Sequence, residues 1–147
     1  MRRDGGSDLA MPEMNKGELE AFLQRPLIAV LTTVRPDGSL HSTPVWFEYE
    51  QGVFYFWVGY DSVKARNIRL NSELSACIAT QGEPYQYVSL DGACEVRTTG
   101  IRERCLSICR RYYSEESAQA FVDADLLAGD SAILAMIPRR LISERSA

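Results

Sequence analysis

Val53-Phe54-Tyr55-Phe56-Trp57-Val58, followed after a short turn by Ser62-Val63-Lys64-Ala65-Arg66-Asn67-Ile68-Arg69, decides how this chain is read. The first run is apolar or aromatic on both alternating sides. It reads as a buried strand that must be covered twice, as in a closed barrel packed against a helix or a second subunit. The second run reads as a helix capped by Ser62. A hydroxyl, an ammonium and free backbone amides gather at its N-terminus, an arrangement suited to a phosphate. Lys16 and Lys64 are the only lysines among 16 Lys and Arg residues, so Lys64 stands out where arginine is the default cation.

Upstream of this stretch, Leu27 to Val34 is a β-branched apolar run, Arg35-Pro36-Asp37-Gly38-Ser39 supplies a turn, and Leu40 to Glu50 continues as a second strand. Gln51-Gly52 turns the chain into the third strand, completing an antiparallel meander. Before it, Asn15-Lys16-Gly17-Glu18 has the form of a capping box, opening a helix whose Leu19, Phe22 and Leu23 share one face until Pro26. Residues 1–14 are polar and Gly-containing without periodicity, and are expected to form a flexible arm, leaving 15–147 as a single domain.

Downstream, Ser75 to Thr80 reads as a fourth strand and Gly82-Glu83-Pro84 as a break. Tyr85 to Thr99 reads as a long fifth strand, in which Gly92-Ala93 permits a bend or a close approach. Ile101, Cys105, Ile108, Cys109 and Tyr112 recur at helical spacing with arginines mostly opposite, which predicts an amphipathic helix with a solvated basic face. Ser114-Glu115-Glu116-Ser117 opens another helix through Ala128, and Ser131 to Ile137 is a sixth strand closed by Pro138. The expected fold is a six-stranded antiparallel β-barrel with flanking helices.

At 147 residues the chain fits one domain able to bury about 68–70% of its unfolded surface. A net charge of -4 and a pI near 5.1 argue against a nucleic-acid or anionic-membrane partner. No apolar segment reaches the ~18 residues of a membrane span, and the N-terminus lacks a signal-peptide core, so a cytoplasmic location is expected. Cys77, Cys94, Cys105 and Cys109 sit in apolar patterns and read as reduced, buried thiols, with no metal cluster among them. His41 is the single histidine, no Rossmann or Walker loop occurs, and no catalytic residue can be named. Trp46, Trp57, Tyr49, Tyr55 and Tyr60 are either strand core or the walls of a pocket for a planar ligand.

Taken in chain order, Thr43-Pro44-Val45-Trp46-Phe47, then Val53-Phe54-Tyr55-Phe56, then Ser62-x-Lys64-x-x-Asn67-Ile68, then Pro84-Tyr85-Gln86-Tyr87-Val88-Ser89-Leu90-Asp91-Gly92 resemble one family. They are similar to the pyridoxamine-phosphate-oxidase-like flavin and deazaflavin oxidoreductases, built on the FMN-binding split barrel. The resemblance runs from about Leu19 to Ile142.

It implies that Ser62 and Lys64 hold a cofactor phosphate with Asn67 beside them. It also implies that Thr43, Pro44, Val45 and Trp46 run along the cofactor ring. A homodimer with cofactor sites at the subunit interface is implied too, Tyr85, Gln86 and Tyr87 lining the site region from either subunit. The implied activity is hydride transfer to or from a small conjugated or heteroaromatic substrate, with F420 or FMN as cofactor and F420 slightly favoured by the Lys-x-x-Asn-Ile pattern. The proton donor is unassigned, Tyr87 and His41 being bare candidates. Val63 stands where true pyridoxamine phosphate oxidases carry an arginine, and the C-terminal tryptophan and arginine-rich segment are missing, which argues against vitamin B6 oxidation. Two other expectations stay open: a carrier that binds flavin, F420 or haem without turnover, and a ligand-free structural dimer.

Overall fold

The computed structural model describes residues 11–146. The chain opens with helix α1 (Lys16–Leu23), whose Asn15 side chain accepts from Glu18 N while Glu18 Oε1 accepts from Asn15 N, the capping box that the sequence predicts. Strands β1 (Ala29–Val34), β2 (Leu40–Glu50) and β3 (Val53–Gly59) follow as the antiparallel meander. Gln51 and Gly52, both at positive φ, make the tight second turn, as a two-residue hairpin in a right-twisted sheet requires.

Helix α2 (Val63–Leu70) leads into β4 (Glu73–Ala79), which pairs back with β1; β5 (Gln86–Arg97) then pairs with β4. Helices α3 (Arg102–Cys109) and α4 (Glu115–Ala128) intervene before β6 (Ser131–Met136), which joins β5 to β3. Six strands thus close in the order β4-β1-β2-β3-β6-β5 and back to β4, the expected antiparallel barrel.

Pro138 does not end the sheet as expected. After the interruption a seventh strand, β7 (Arg140–Arg145), continues along the edge of β5 that β6 occupies, with Cys94 opposite Met136 and Asp91 opposite Arg140. Proline removes one ladder donor, but Arg139 N resumes the pairing at once by donating to Asp91 O at 2.9 Å. The break lies against Gly92, where a Cβ would meet Arg139 N and Met136 Sδ at 3.2 Å and Ile137 O at 3.3 Å. The close approach expected of Gly92 is therefore real. Gly92→Val should cost about 1–3 kcal/mol by prying this joint apart, read as a lower urea midpoint. An unchanged midpoint would show the joint to be pliable.

Two apolar clusters flank the sheet. Leu31, Phe47, Phe54, Phe56, Ile78, Val88, Leu90 and Leu134 fill the barrel with Phe22 and Leu23 of α1 and Ala65 and Ile68 of α2. The other side of β3 and β6 presents Trp57 and Ile133 to Cys105, Ile108 and Cys109 of α3 and Ala118 and Val122 of α4. The doubly apolar third strand is thus covered by barrel interior on one side and by a helix pair on the other, and its composition carries no argument for a second subunit.

The basic face of α3 is only partly a solvated surface. Arg104 pairs with Glu48 at 2.6 Å and lies 3.7 Å from the Tyr55 ring centroid, while Arg111 donates to the carbonyls of Leu23, Gln24 and Arg25. Cys94, Cys105 and Cys109 are buried as expected, whereas Cys77 is exposed, because it lies on the outer side of β4. Of the arm expected over 1–14, the first ten residues lie outside the described ones. Its end is docked on β7, with Arg145 N donating to Pro12 O at 2.9 Å and Met14 N to Ser143 Oγ at 3.1 Å. No described helix is long and apolar enough to cross a membrane.

Candidate functional site

The strand-to-helix junction has the form that the sequence predicts. Ser62 is the N-cap of α2, its Oγ accepting from Ala65 N at 3.3 Å and donating to Gly59 O at 2.8 Å. Both functions of the hydroxyl are therefore used in shaping the turn. Tyr60 N donates to Asp130 O at 2.8 Å, tying the same turn to the entrance of β6. With Ala65 N taken by the cap and Arg66 N by Ser62 O, the amides of Val63 and Lys64 are the ones left without an acceptor within the helix.

Lys64 is half-buried and makes no hydrogen bond or ion pair with the described residues. Burial alone pulls its ammonium below the usual lysine range. A cation partly stripped of water and without a counter-ion is stabilised by any anion that reaches it, and the helix N-terminus adds to the same attraction. The side chain lines a cavity of about 280 Å³ with Pro44, Val45 and Trp46 of β2, Trp57, Val58 and Gly59 of β3, Phe121 and Asp125 of α4, and Asp130.

The aromatic wall of this cavity is fixed by its own packing. Trp46 stacks on Tyr112 with centroids 4.9 Å apart and planes 10° apart, and meets Trp57 at 6.1 Å and Phe121 at 5.7 Å. Trp57 Nε1 donates to Ser131 Oγ at 2.9 Å, so that indole is held from both sides. Of the five aromatics considered for a planar pocket, only these two tryptophans reach the cavity. Tyr49 packs on Phe54, Tyr55 lies under Arg104, and Tyr60 lies under Arg69.

The structure thus gathers Lys64 with Pro44, Val45 and Trp46, and sets Ser62 at the turn below. It does not bring the remaining candidates there. Asn67 is buried on the barrel side of α2, its Nδ2 donating to Thr33 Oγ1 at 3.0 Å. Thr43, opposite Leu31, faces the barrel while Pro44 and Trp46 face out, and its Oγ1 is buried without a partner, as is Nδ1 of His41 two residues earlier.

Tyr85, Gln86 and Tyr87 lie at the start of β5. Tyr85 N donates there to Ser146 Oγ and Gln86 N to Thr80 Oγ1, and neither they nor His41 line this chain's cavity. Phe121, Asp125 and Asp130 are the lining residues that sequence reasoning missed. A Phe and an Asp four apart on α4 mark one helix face, but nothing local says that this face looks onto Lys64.

A family model described as pyridoxamine 5'-phosphate oxidase matches residues 16–141. Among solved structures, the chain is similar to a conserved hypothetical protein from Mycobacterium tuberculosis, at 22% identity and a TM-score of 0.77 over 93% of this chain and 88% of that one. It is also similar to an F420 reductase, at 25% identity and a TM-score of 0.66 over 83% of this chain and 94% of that one. A FAD-binding protein from Mesorhizobium loti matches at 15% identity and a TM-score of 0.69 over 93% of this chain and 97% of that one. No curated protein matches the chain significantly in sequence.

Proposed function

The chain belongs to the pyridoxamine 5'-phosphate oxidase family, and from that premise we propose that it is an oxidoreductase that uses F420 or FMN to pass hydride to or from a small conjugated or heteroaromatic substrate. The observation that carries this reading is Lys64, a half-buried ammonium with no partner among the described residues, in one cavity with Trp46 and Trp57. The similarity to an F420 reductase supports the deazaflavin, and the FAD-binding relative keeps a flavin in view.

The residues present fit such a group. Lys64 and the free first-turn amides of α2 would hold its phosphate, Ser62 keeping those amides aimed by bonding Gly59 and Ala65. Pro44, Val45 and Trp46 would border its ring, the packed indoles excluding water from one side. Asn67 fixes α2 to β1 through Thr33 and so positions the junction from behind. When bound, the cofactor supplies the hydride chemistry, and the protein's part is binding, orientation and exclusion of water.

A homodimer with the cofactor at the subunit interface belongs to the same proposal, with Tyr85, Gln86 and Tyr87 reaching the site from the second subunit, since they lie away from the cavity of their own chain. With Val63 between Ser62 and Lys64, vitamin B6 phosphates are not the proposed substrates.

Titration of the purified protein with FMN and with F420, followed by absorbance and fluorescence, tests the reading. One of the two should bind, and Lys64→Ala should weaken it about 10- to 100-fold, the worth of one charge-assisted contact. Binding of neither overturns the proposal, and binding that is indifferent to Lys64→Ala moves the phosphate elsewhere. A bound cofactor that no acceptor reoxidises would make the protein a carrier.

A further inference from the structure

Pro44, Val30, Cys77, Ser89 and Ile142 form one row across the outer side of β2, β1, β4, β5 and β7, each standing opposite the next. None of them is charged. Pro44, Val30 and Cys77 are exposed, Val30 at 44%. Apolar residues on the outer side of β3 come with a cover, the pair α3 and α4, whereas this row lies open. Beside it a groove of about 680 Å³ runs between the start of β1 and the end of β4, walled by Leu27, Ile28 and Val30 on one side and by Cys77, Ala79 and Pro84 on the other. A continuous apolar face left open on a sheet marks a contact surface.

The groove carries one charge on each wall. Arg25 precedes β1 and Glu83 follows β4, and the antiparallel pairing of these strands puts both at the same end. Their backbones are pinned, Arg25 O by the Arg111 guanidinium at 2.8 Å and the carbonyls on either side of Glu83 by Thr80 Oγ1, at 3.3 Å from Gly82 O and 3.2 Å from Pro84 O. Among the described residues neither side chain makes an ion pair or a hydrogen bond. Charge and symmetry then name the occupant. Copies of a chain with net charge -4 repel one another except through a surface whose centre is uncharged and whose rim complements itself. A two-fold axis along the groove, between β1 and β4, lays each wall on the opposite wall of the other copy. It sets Val30 against the partner subunit's Cys77 and each Arg25 against the partner subunit's Glu83.

We propose that a second copy of the chain docks on the outer side of β1 and β4, held in register by two reciprocal ion pairs between Arg25 and Glu83 around an uncharged centre. This rests on the homodimer reading and names the face and the charges that specify it. Pro44 stands next to Val30 in the row and also lines the Lys64 cavity, so the second copy borders that cavity.

The test is sedimentation velocity over a range of concentrations on the full chain and its variants, with circular dichroism as the check on folding. The wild-type protein should sediment as a dimer. Val30→Glu, which brings two like charges into the uncharged centre, should give monomers at the same concentration. Arg25→Glu and Glu83→Arg should each raise the dimer dissociation constant at least tenfold, and the double variant Arg25→Glu/Glu83→Arg should return it to within threefold of wild type. A dimer indifferent to Val30→Glu overturns the proposal, and so do single reversals without effect or a double variant that recovers nothing. The two charge positions are exposed, so this series decides even if Val30→Glu does not fold. A wild-type monomer that takes up N-phenyl-1-naphthylamine and loses it on Val30→Glu would give the groove to a small apolar ligand and overturn the proposal as well. Binding of FMN or F420 by a dimer that ignores these variants would leave the oxidoreductase and homodimer readings standing and sink this face alone.

Discussion

Phe56→Ala will lower the unfolding free energy by about 3–5 kcal/mol, the range for removing a fully buried ring from a core that cannot collapse around the void. Phe56 is fully buried in the middle of β3, opposite Phe47 on β2 and Leu134 on β6, with the Phe54 ring nearly parallel at 6.3 Å. Its strand is hydrogen-bonded along both edges, so neither neighbour can slide inwards to refill the space. Urea unfolding should show a large drop in midpoint at unchanged slope. A loss below about 1 kcal/mol would mean that the barrel interior repacks far more freely than its strand pairing suggests.

Arg111→Met should cost about 2–3 kcal/mol although the residue lies at the end of a surface helix. Its guanidinium donates to Arg25 O at 2.8 Å, Gln24 O at 3.2 Å and Leu23 O at 3.3 Å, and lies 4.9 Å from the Phe47 ring centroid. Those carbonyls end α1, where intrahelical donors have run out and the helix dipole is negative. One planar cation therefore closes the C-terminal end of one helix from the end of another, and Tyr112 extends the clasp by donating to Leu27 O at 2.7 Å. Methionine keeps much of the bulk and none of the donors. Arg111→Lys should recover less than half of the loss, because an ammonium cannot spread over three carbonyls as the guanidinium fork does. Thermal unfolding gives the loss, and faster amide exchange confined to α1 would locate it. Equal stability of the Met and wild-type chains would reduce the clasp to a surface contact.

What the sequence made legible was local. Asn15 with Glu18, Gln51-Gly52, Ser62 before α2, and Gly92 within β5 each carry their instruction within a few residues, and each does in the structure what its chemistry asks. β7 was hidden because Pro138 reads as a stop, and nothing within that segment says that Arg139 re-enters the ladder one residue later. The candidate site was legible where chain order suffices, in Pro44, Val45, Trp46 and Lys64.

It was not legible where the answer depends on which side of the sheet a residue faces, as with Thr43 against Pro44, or on what packs across it. The helix pair over Trp57 arrives after α3, α4 and their connections, so the neighbours Phe121, Asp125 and Asp130 are tertiary facts with no local trace. The resemblance implied that Asn67 lies beside the phosphate as a neighbouring contributor, and the bond that its side chain makes to Thr33 across the barrel side of α2 is a tertiary fact of the same kind.

The circular strand order also governs how the molecule must be assembled. β1 to β5 contain enough pairing to curl into an open sheet, but β3 and β5 each keep a bare edge until residues 131–145 lie between and beside them. Joining Phe56 to Leu134 closes a loop across more than half of the chain, a slow step for a sheet of non-local pairs. A sheet paired only through β1 to β5 has the shape of a half-pipe with two open rims. Docking of β6 and β7 covers those two rims and leaves the outer edge of β7 as the exposed one at this end of the sheet.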